Sequence, residues 1–262
     1  MSKSVIKINN ACVYLDGREI LHNFELDIPR GRHTFILGPN GSGKTTLVKL
    51  LLGHVYPAVG GSIEVLGRKF GSSDIRELRR HIAVASPMLS VFTDINLSGL
   101  EIVLTGIDSV FGIFREYSEH EKELAMLQLE KFNALHLADR SFKNMSSGEQ
   151  IRVLIARAIV CSPALLILDE PSVFLDPAGR EKLLSEIALL PEKNPEITML
   201  FITQRIEDIT PCFAHGVLIA DGRNFDSGNT STLLTEEKLS KIFNINIKLV
   251  PGINGRLWSI CV

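Results

Sequence analysis

The hydrophobic pattern of this chain changes period several times, and each change predicts an element. Short apolar runs at "VIKI", "FELDI" and "HTFIL" predict strands before residue 38, and "SIEVLG" and "HIAVA" predict two more. "LLILD" (165–169) and "ITMLFIT" (197–203) are almost continuously apolar, as parallel strands covered on both faces must be. "GVLIADGRNFDSG" (216–228) reads as a hairpin turning at Asp221-Gly222. Between about 88 and 160 the strand signals fade. There "EHEKELAMLQLEKFNAL" sets Leu124, Leu127, Leu129 and Phe132 among charges. The run opened by "MSSGEQI" (145–151) puts Ile151, Leu154, Ile155 and Ala158 on one helical face, with Ser146 and Glu149 spaced as a capping box. The pattern predicts an α/β core with an inserted helical subdomain at about 88–160. No internal repeat or sustained heptad is present, which excludes arrays and long coiled coils.

Composition narrows the class. The 262 residues are 45% hydrophobic and 22% charged, enough for one large core or two modest ones. A net charge of −2 argues against direct nucleic-acid binding, and the one basic cluster, Arg79-Arg80-His81, reads as a solvated helix end. Cys12, Cys161, Cys212 and Cys261 are widely spaced, without CxxC pairs, which suits a reducing compartment rather than zinc or disulfides. The start "MSKSVIKINN" lacks the apolar core of a signal peptide. No apolar run reaches 18 residues, because Arg157 interrupts the best candidate. The expectation is a cytoplasmic chain with no direct membrane insertion, reaching a membrane only through a partner.

Candidate chemistry then changes the picture. "FILGPNGSGKTTLVKLLLG" (35–53) carries GxxxxGK[ST] from Gly38 to Thr45, between an apolar strand and an apolar helix. Gly41 and Gly43 let successive amides curl toward a polyphosphate at the helix N-terminus. Lys44 supplies a charge for β- and γ-phosphates, and Thr45 a hydroxyl for Mg²⁺. The alternative is a glycine-rich turn with a chance lysine. "LLILDEP" (165–171) ends a buried strand in two carboxylates: Asp169 can reach a Mg²⁺ shell, and Glu170 can orient or deprotonate an attacking water. Two solvated carboxylates at a sheet edge are the alternative there.

The stretches "GPNGSGKTT", "MSSGEQ" and "LLILDEPSVFLD", in this order and at these separations, resemble the nucleotide-binding subunit of ABC transporters. The resemblance covers nearly the whole chain. It implies a P-loop NTPase core, a RecA-like mixed sheet with an antiparallel β part, and it implies ATP and Mg²⁺ as cofactors. It assigns ATP binding to Gly38, Pro39, Asn40, Gly41, Ser42, Gly43, Lys44, Thr45 and Thr46. Lys44 and Glu170 would be catalytic, with Gln204 at the catalytic switch position, and Thr45 and Asp169 would hold the metal. Ser146, Ser147, Gly148 and Glu149 stand where the family signature Leu-Ser-Gly-Gly-Gln contacts the ATP of a second subunit. A purely local helix cap is the other reading, and both can hold. Asp176 matches the dimer-facing aspartate loop. Tyr14 lies near the adenine-stacking aromatic, with an ordinary strand tyrosine as the alternative. The ending "LLTEEKLSKIFNINIKLV" and the stretch "VLTGIDSVFGIF" are similar to importers of metal chelates and oxyanions.

Two positions depart from the family. Its switch histidine is Gln204 here, a residue that can donate to phosphate but cannot carry charge. Its loop glutamine is replaced by Ser86-Pro87-Met88. The expectation is an ATPase that powers a membrane transporter by ATP-driven dimer closure, with turnover slowed by Gln204 and Pro87. Its partners would be a transmembrane permease, met through residues near 88–115 such as Phe92, Leu97, Phe111 and Phe114, and a second ATPase subunit. A non-transport ABC ATPase and a nucleotide-gated regulatory module are the competing functions.

Overall fold

The computed structural model describes residues 4–72 and 75–262, without the side chains of 75, 76 and 253. Strands are β1 (Ser4–Leu15), β2 (Arg18–Pro29), β3 (Thr34–Leu37), β4 (Ser62–Val65), β5 (Arg68–Lys69), β6 (Ile82–Ala85), β7 (Leu165–Asp169), β8 (Thr198–Thr203), β9 (His215–Ala220), β10 (Arg223–Asn229), β11 (Ile247–Pro251) and β12 (Leu257–Cys261). Helices are α1 (Lys44–Leu51), α2 (Ile75–Arg79), α3 (Gly99–Thr105), α4 (Glu119–Lys131), α5 (Ser147–Ile159), α6 (Pro177–Ala188), α7 (Leu190–Lys193), α8 (Thr230–Leu233) and α9 (Glu236–Phe243). The chain forms two compact units, Met1–Leu78 with Thr198–Val262, and Arg79–Ile197.

In the first unit β3 is fully buried and runs parallel to both β8 and β9, while β10 returns antiparallel beside β9 through the Asp221-Gly222 turn. Phe35, Phe201 and Phe213 fill its core, the last two with ring centroids 5.1 Å apart. A separate antiparallel sheet runs β2-β1-β4-β5. Its long hairpin turns at Asp16 and Gly17, both at positive φ, and kinks at Asn10, where the pairing register shifts. The sequence pattern predicts only the first and last residues of this hairpin as strands, because the shifts break the alternation that marks a face. The C-terminal pair β11–β12 stands as its own two-stranded sheet.

In the second unit β6 and β7 pair in parallel, and α3, α4 and α5 pack on one another. Ile151, Leu154, Ile155 and Ala158 of α5 are all buried. Each of the larger three contributes roughly 1.5–3 kcal/mol by leaving water. In α4 the expected apolar face is corrected. Leu129 and Phe132 are buried, but Leu127 is 51% exposed and Leu124 is intermediate, while Ala125 and Gln128 turn inward. Gln128 is a polar residue on the buried face, which a count of apolar residues misses.

Candidate functional site

β3 delivers the chain into Gly38, whose amide donates to the Thr203 carbonyl at 3.4 Å. A side chain at Gly38 would run into the Ile219 carbonyl. Gly43 caps α1 at φ +102, and a Cβ there would lie 2.7 Å from Leu21 Cδ2. Both glycines are therefore required by the fold itself. The loop is buttressed by the β9–β10 turn: the Gly222 amide donates to Ser42 carbonyl at 3.1 Å, and His22 donates to Gly222 carbonyl at 2.9 Å. Lys44 is buried, with Nζ donating to the Gly38 and Pro39 carbonyls, each at 2.9 Å. Ser42 Oγ is buried and has no hydrogen-bond partner among the described residues. No acidic residue lies in the first turn of α1 and no side chain caps it, so its amide end keeps its positive potential. Thr45 and Asn40 are exposed, Pro39 is half-buried, and Thr46 is buried. The residue after Thr203 is Gln204, half-buried and thus next in sequence to the strand end bonded to Gly38.

Tyr14 is 54% exposed on β1, opposite Glu19 on β2. The Glu19 charge pushes its phenol above the ordinary range. Its ring therefore faces solvent, not the core.

In the second unit Asp169 closes β7, half-buried, and Glu170 sits at φ +48, in the left-handed region. A β-strand rarely ends in such a residue unless its surroundings demand it. Pro87 begins a 3-10 turn (Pro87–Val91), capped by Ser86 Oγ accepting from the Met88 amide at 3.3 Å. A cavity of about 70 Å³ is lined by Pro87, Ser90, Ser147, Gln150, Pro171 and Phe174. It brings the departed loop, the start of α5 and the segment after Glu170 to one place.

The start of α5 repeats a device used elsewhere in this unit. α3, α4 and α5 all open with complete capping boxes, Ser98–Glu101, Ser118–Glu121 and Ser146–Glu149. Ser146 Oγ accepts from Glu149 N at 3.3 Å, and the Ser146 amide donates to Glu149 Oε2 at 2.7 Å. That amide holds the Glu149 carboxyl below its ordinary pKa, and Arg140 donates to the same side chain at 3.1 Å. What separates α5 from the other two is the pair inside the box. Ser147 is exposed, and a Cβ on Gly148 would meet Leu175 at 3.6 Å and Arg152 Nη1 at 3.7 Å, ordinary contacts. In α3 the glycine inside the box, Gly99, is pressed against the Leu137 carbonyl. The fold needs Gly99; it does not need Gly148. Asp176 caps α6, its Oδ1 accepting from Gly179 N at 2.7 Å, and is itself exposed.

Two arginines of α5 escape a motif reading. Arg152 pairs with Glu186 at 2.9 Å, both nearly buried, and reaches toward the Gly148 carbonyl at 3.4 Å. Arg157 is 8% exposed, and among the described residues no carboxylate pairs with it. Its Nε donates to Thr105 Oγ1 at 2.8 Å, its Nη2 to Val110 carbonyl at 2.5 Å, and its guanidinium lies 4.2 Å over the Phe111 ring. Burial pushes it down to about 10. An arginine in a helical apolar run was the only signal available for either.

Residues 21–173 match the ABC transporter family. The chain belongs to that family. It is 34% identical over 247 residues to the ABC transporter ATP-binding protein YlmA of Bacillus subtilis (strain 168), covering 94% of this chain and 93% of that one. It is 30% identical over 245 residues to the molybdate import ATP-binding protein MolC of Haemophilus influenzae (strain ATCC 51907 / DSM 11121 / KW20 / Rd), covering 94% and 90%. Among solved structures, cbiO1 of Clostridium perfringens, part of the ABC transporter complex cbiONQ, superposes with a TM-score of 0.76 at 26% identity, covering 93% and 95%. This ABC chain accordingly has the cassette fold of P-loop NTPases, with a mixed sheet and a helical subdomain, and is the ATP-binding subunit of an ATP-powered transporter. Its family consists generally of ATPases. Among the described residues no helix is long and apolar enough to cross a membrane.

Proposed function

We propose that this ABC subunit hydrolyses Mg-ATP and drives a membrane permease, two copies or paralogues closing on ATP and reopening after hydrolysis. The observation that carries the reading is the phosphate loop: fold-enforced glycines, an uncapped helix start, a buried lysine and a buried Ser42 hydroxyl without a partner among the described residues. A polyphosphate satisfies all of these at once. In this reading Gly38–Thr46 bind ATP, Lys44 offsets β- and γ-phosphate charge, and Tyr14 stacks on adenine. Thr45 and Asp169 would hold Mg²⁺, which neutralises phosphate charge when bound. Glu170 orients the attacking water and accepts its proton, while Gln204 donates a hydrogen bond to the terminal phosphate.

Ser146, Ser147, Gly148 and Glu149 address the ATP of the partner subunit. The capping box engages the amides of Ser146 and Glu149 and not those of Ser147 and Gly148 between them. No internal clash requires glycine at 148, which supports an approach from outside. Asp176, exposed at its helix start, lies on the same dimer-facing surface in this reading.

The permease would dock on an apolar patch of the second unit. Phe92 (66% exposed) and Phe111 (40%) lie 6.2 Å apart, with Val91, Ile95 and Phe114 (82%) also exposed. Leu97 is half-buried. The subunit then works peripherally on the cytoplasmic membrane face, with a cassette spanning the chain and a helical subdomain at about 88–160. Similarity to MolC favours an importer.

Glu170→Gln with Mg-ATP tests the core of this reading: a dimer on size exclusion is expected, and a monomer at saturating Mg-ATP would contradict it. Gln204→His tests the slowed turnover. Replacing a positioned polar group changes rate by about 10²–10³-fold in comparable sites, so a marked gain is expected. A histidine variant no faster than wild type would show that the departure is compensated.

A further inference from the structure

The loop that presents Gln204 is held from two sides, and one of them is the far end of the chain. From within, Thr203 Oγ1 accepts from the Arg205 amide at 3.0 Å and donates to Asp208 Oδ2 at 3.3 Å, while the Asp208 amide donates to Arg205 carbonyl at 3.3 Å. Thr203 and Asp208 are both buried. From without, the C-terminal hairpin reaches Glu207, in the 3-10 turn Ile206–Asp208. Arg256 Nε donates to the Glu207 carbonyl at 2.8 Å. The Ser259 amide and hydroxyl both donate to Glu207 Oε1, at 3.1 and 2.5 Å. Arg256 is 7% exposed, with its guanidinium 5.7 Å from the Trp258 ring centroid.

This is more restraint than a terminal hairpin needs. β11 is already tied to α9, through the Leu249 amide and Lys248 Nζ donating to Glu236 at 3.0 and 3.2 Å. The second strand, β12, and the residue just before it direct a serine and a buried arginine at the turn three residues beyond Gln204. A charged switch residue is drawn to phosphate over several ångströms, because Coulomb attraction falls slowly with distance. A neutral carboxamide has no such reach. Its hydrogen bond weakens steeply outside a narrow distance and angle range, so it acts only if its backbone is fixed beforehand.

We propose that the C-terminal hairpin is the positioning element of the switch, with Arg256 and Ser259 gripping Glu207 and thereby fixing the loop that carries Gln204. Glu207, Arg256 and Ser259 are positioning residues, not catalytic ones. The inference rests on the ATPase reading above for its effect on rate, though not for its effect on the loop. It extends the functional site to the last residues of the chain, beyond the span matched by the family.

The test uses the full-length chain and Glu207→Ala, Ser259→Ala and Glu207→Gln, each alone and in a Gln204→Ala background. Glu207→Ala is expected to lower kcat about 10-fold with KM for ATP within about twofold, the pattern of a lost transition-state contact. Glu207→Gln, which keeps an oxygen to accept from Ser259, should recover most of that loss. In the Gln204→Ala background the same substitutions should cost nothing further. Amide hydrogen exchange over residues 204–209 should rise about tenfold or more in Glu207→Ala and Ser259→Ala, with exchange in β3 unchanged. Equal losses of kcat with and without Gln204, or wild-type exchange over 204–209 in both variants, would overturn the proposal. If wild-type phosphate release does not exceed that of Lys44→Ala, the hydrolysis reading fails by itself, and the exchange measurement alone decides the hairpin's role.

Discussion

The phosphate loop and the start of α5 are both glycine-bearing helix N-termini, and they differ in what their glycines answer to. At Gly38 and Gly43 the protein's own backbone and Leu21 exclude any side chain. At Gly148 nothing internal does. The first site is complete within the chain, down to a lysine folded over two of its carbonyls. The second has its cap satisfied by Glu149 and still leaves small, exposed residues at its tip. A glycine demanded by the fold and a glycine the fold does not demand look alike in sequence, and only the neighbours tell them apart.

Substitutions can break this contrast in graded steps. The largest effect is expected at Lys44. Lys44→Ala removes a charge-assisted phosphate contact of about 1.5–3 kcal/mol, and ATP affinity measured by calorimetry should fall about 10–100-fold. Gly43→Ala comes next, because φ +102 and the Leu21 contact both penalise a methyl. A loss of about 1–3 kcal/mol is expected in urea unfolding, together with weakened ATP binding. Ser146→Ala removes the cap acceptor for Glu149 N and should cost about 1 kcal/mol. Gly148→Ala is the sharpest discriminator although its stability effect is the smallest, within about 0.5 kcal/mol of wild type. In a Glu170→Gln background it should nonetheless prevent the ATP-loaded dimer. Normal dimerisation in that double variant would remove the case for an outside contact at Gly148.

A pH measurement separates the two units in another way. His33 is half-buried, its Nδ1 accepts from the Met199 amide at 3.2 Å, and burial holds its pKa below the ordinary value. The unfolded chain therefore binds the proton more readily, so stability is full above the unfolded pKa of about 6.5 and declines as pH falls through it. Glu149, by contrast, prefers its charged form when folded, and loses its contribution only as pH falls below the unfolded carboxyl range. A melting temperature that drops between pH 7.5 and 5.5, and drops less in His33→Gln, is expected. An identical drop in that variant would move the effect elsewhere.

Much of the core was legible because burial on both faces leaves an unbroken apolar signature. "LLILD" and "TMLFIT" are such runs, and both are buried strands. The phosphate loop and the capping box of α5 were legible because each is a local arrangement of a few adjacent residues. The rest depends on distant partners. The β1–β2 hairpin hides behind register shifts, and β12 exposes Trp258 and Ile260, so its apolar residues mark no core face. Nothing in the sequence near Glu207 announces Arg256 and Ser259, which lie 49 and 52 residues away. The left-handed backbone of Glu170 is likewise invisible in its side chain.

Arg157 gives the far end of α5 a property that its apolar neighbours cannot. Hydrophobic contacts slide at little cost, but a guanidinium shut away from water and held by a threonine, a carbonyl and a ring cannot let go of any of them cheaply. The helix is thus pegged like an oar in its rowlock. A turn of α5 about its own axis would have to break all three contacts at once.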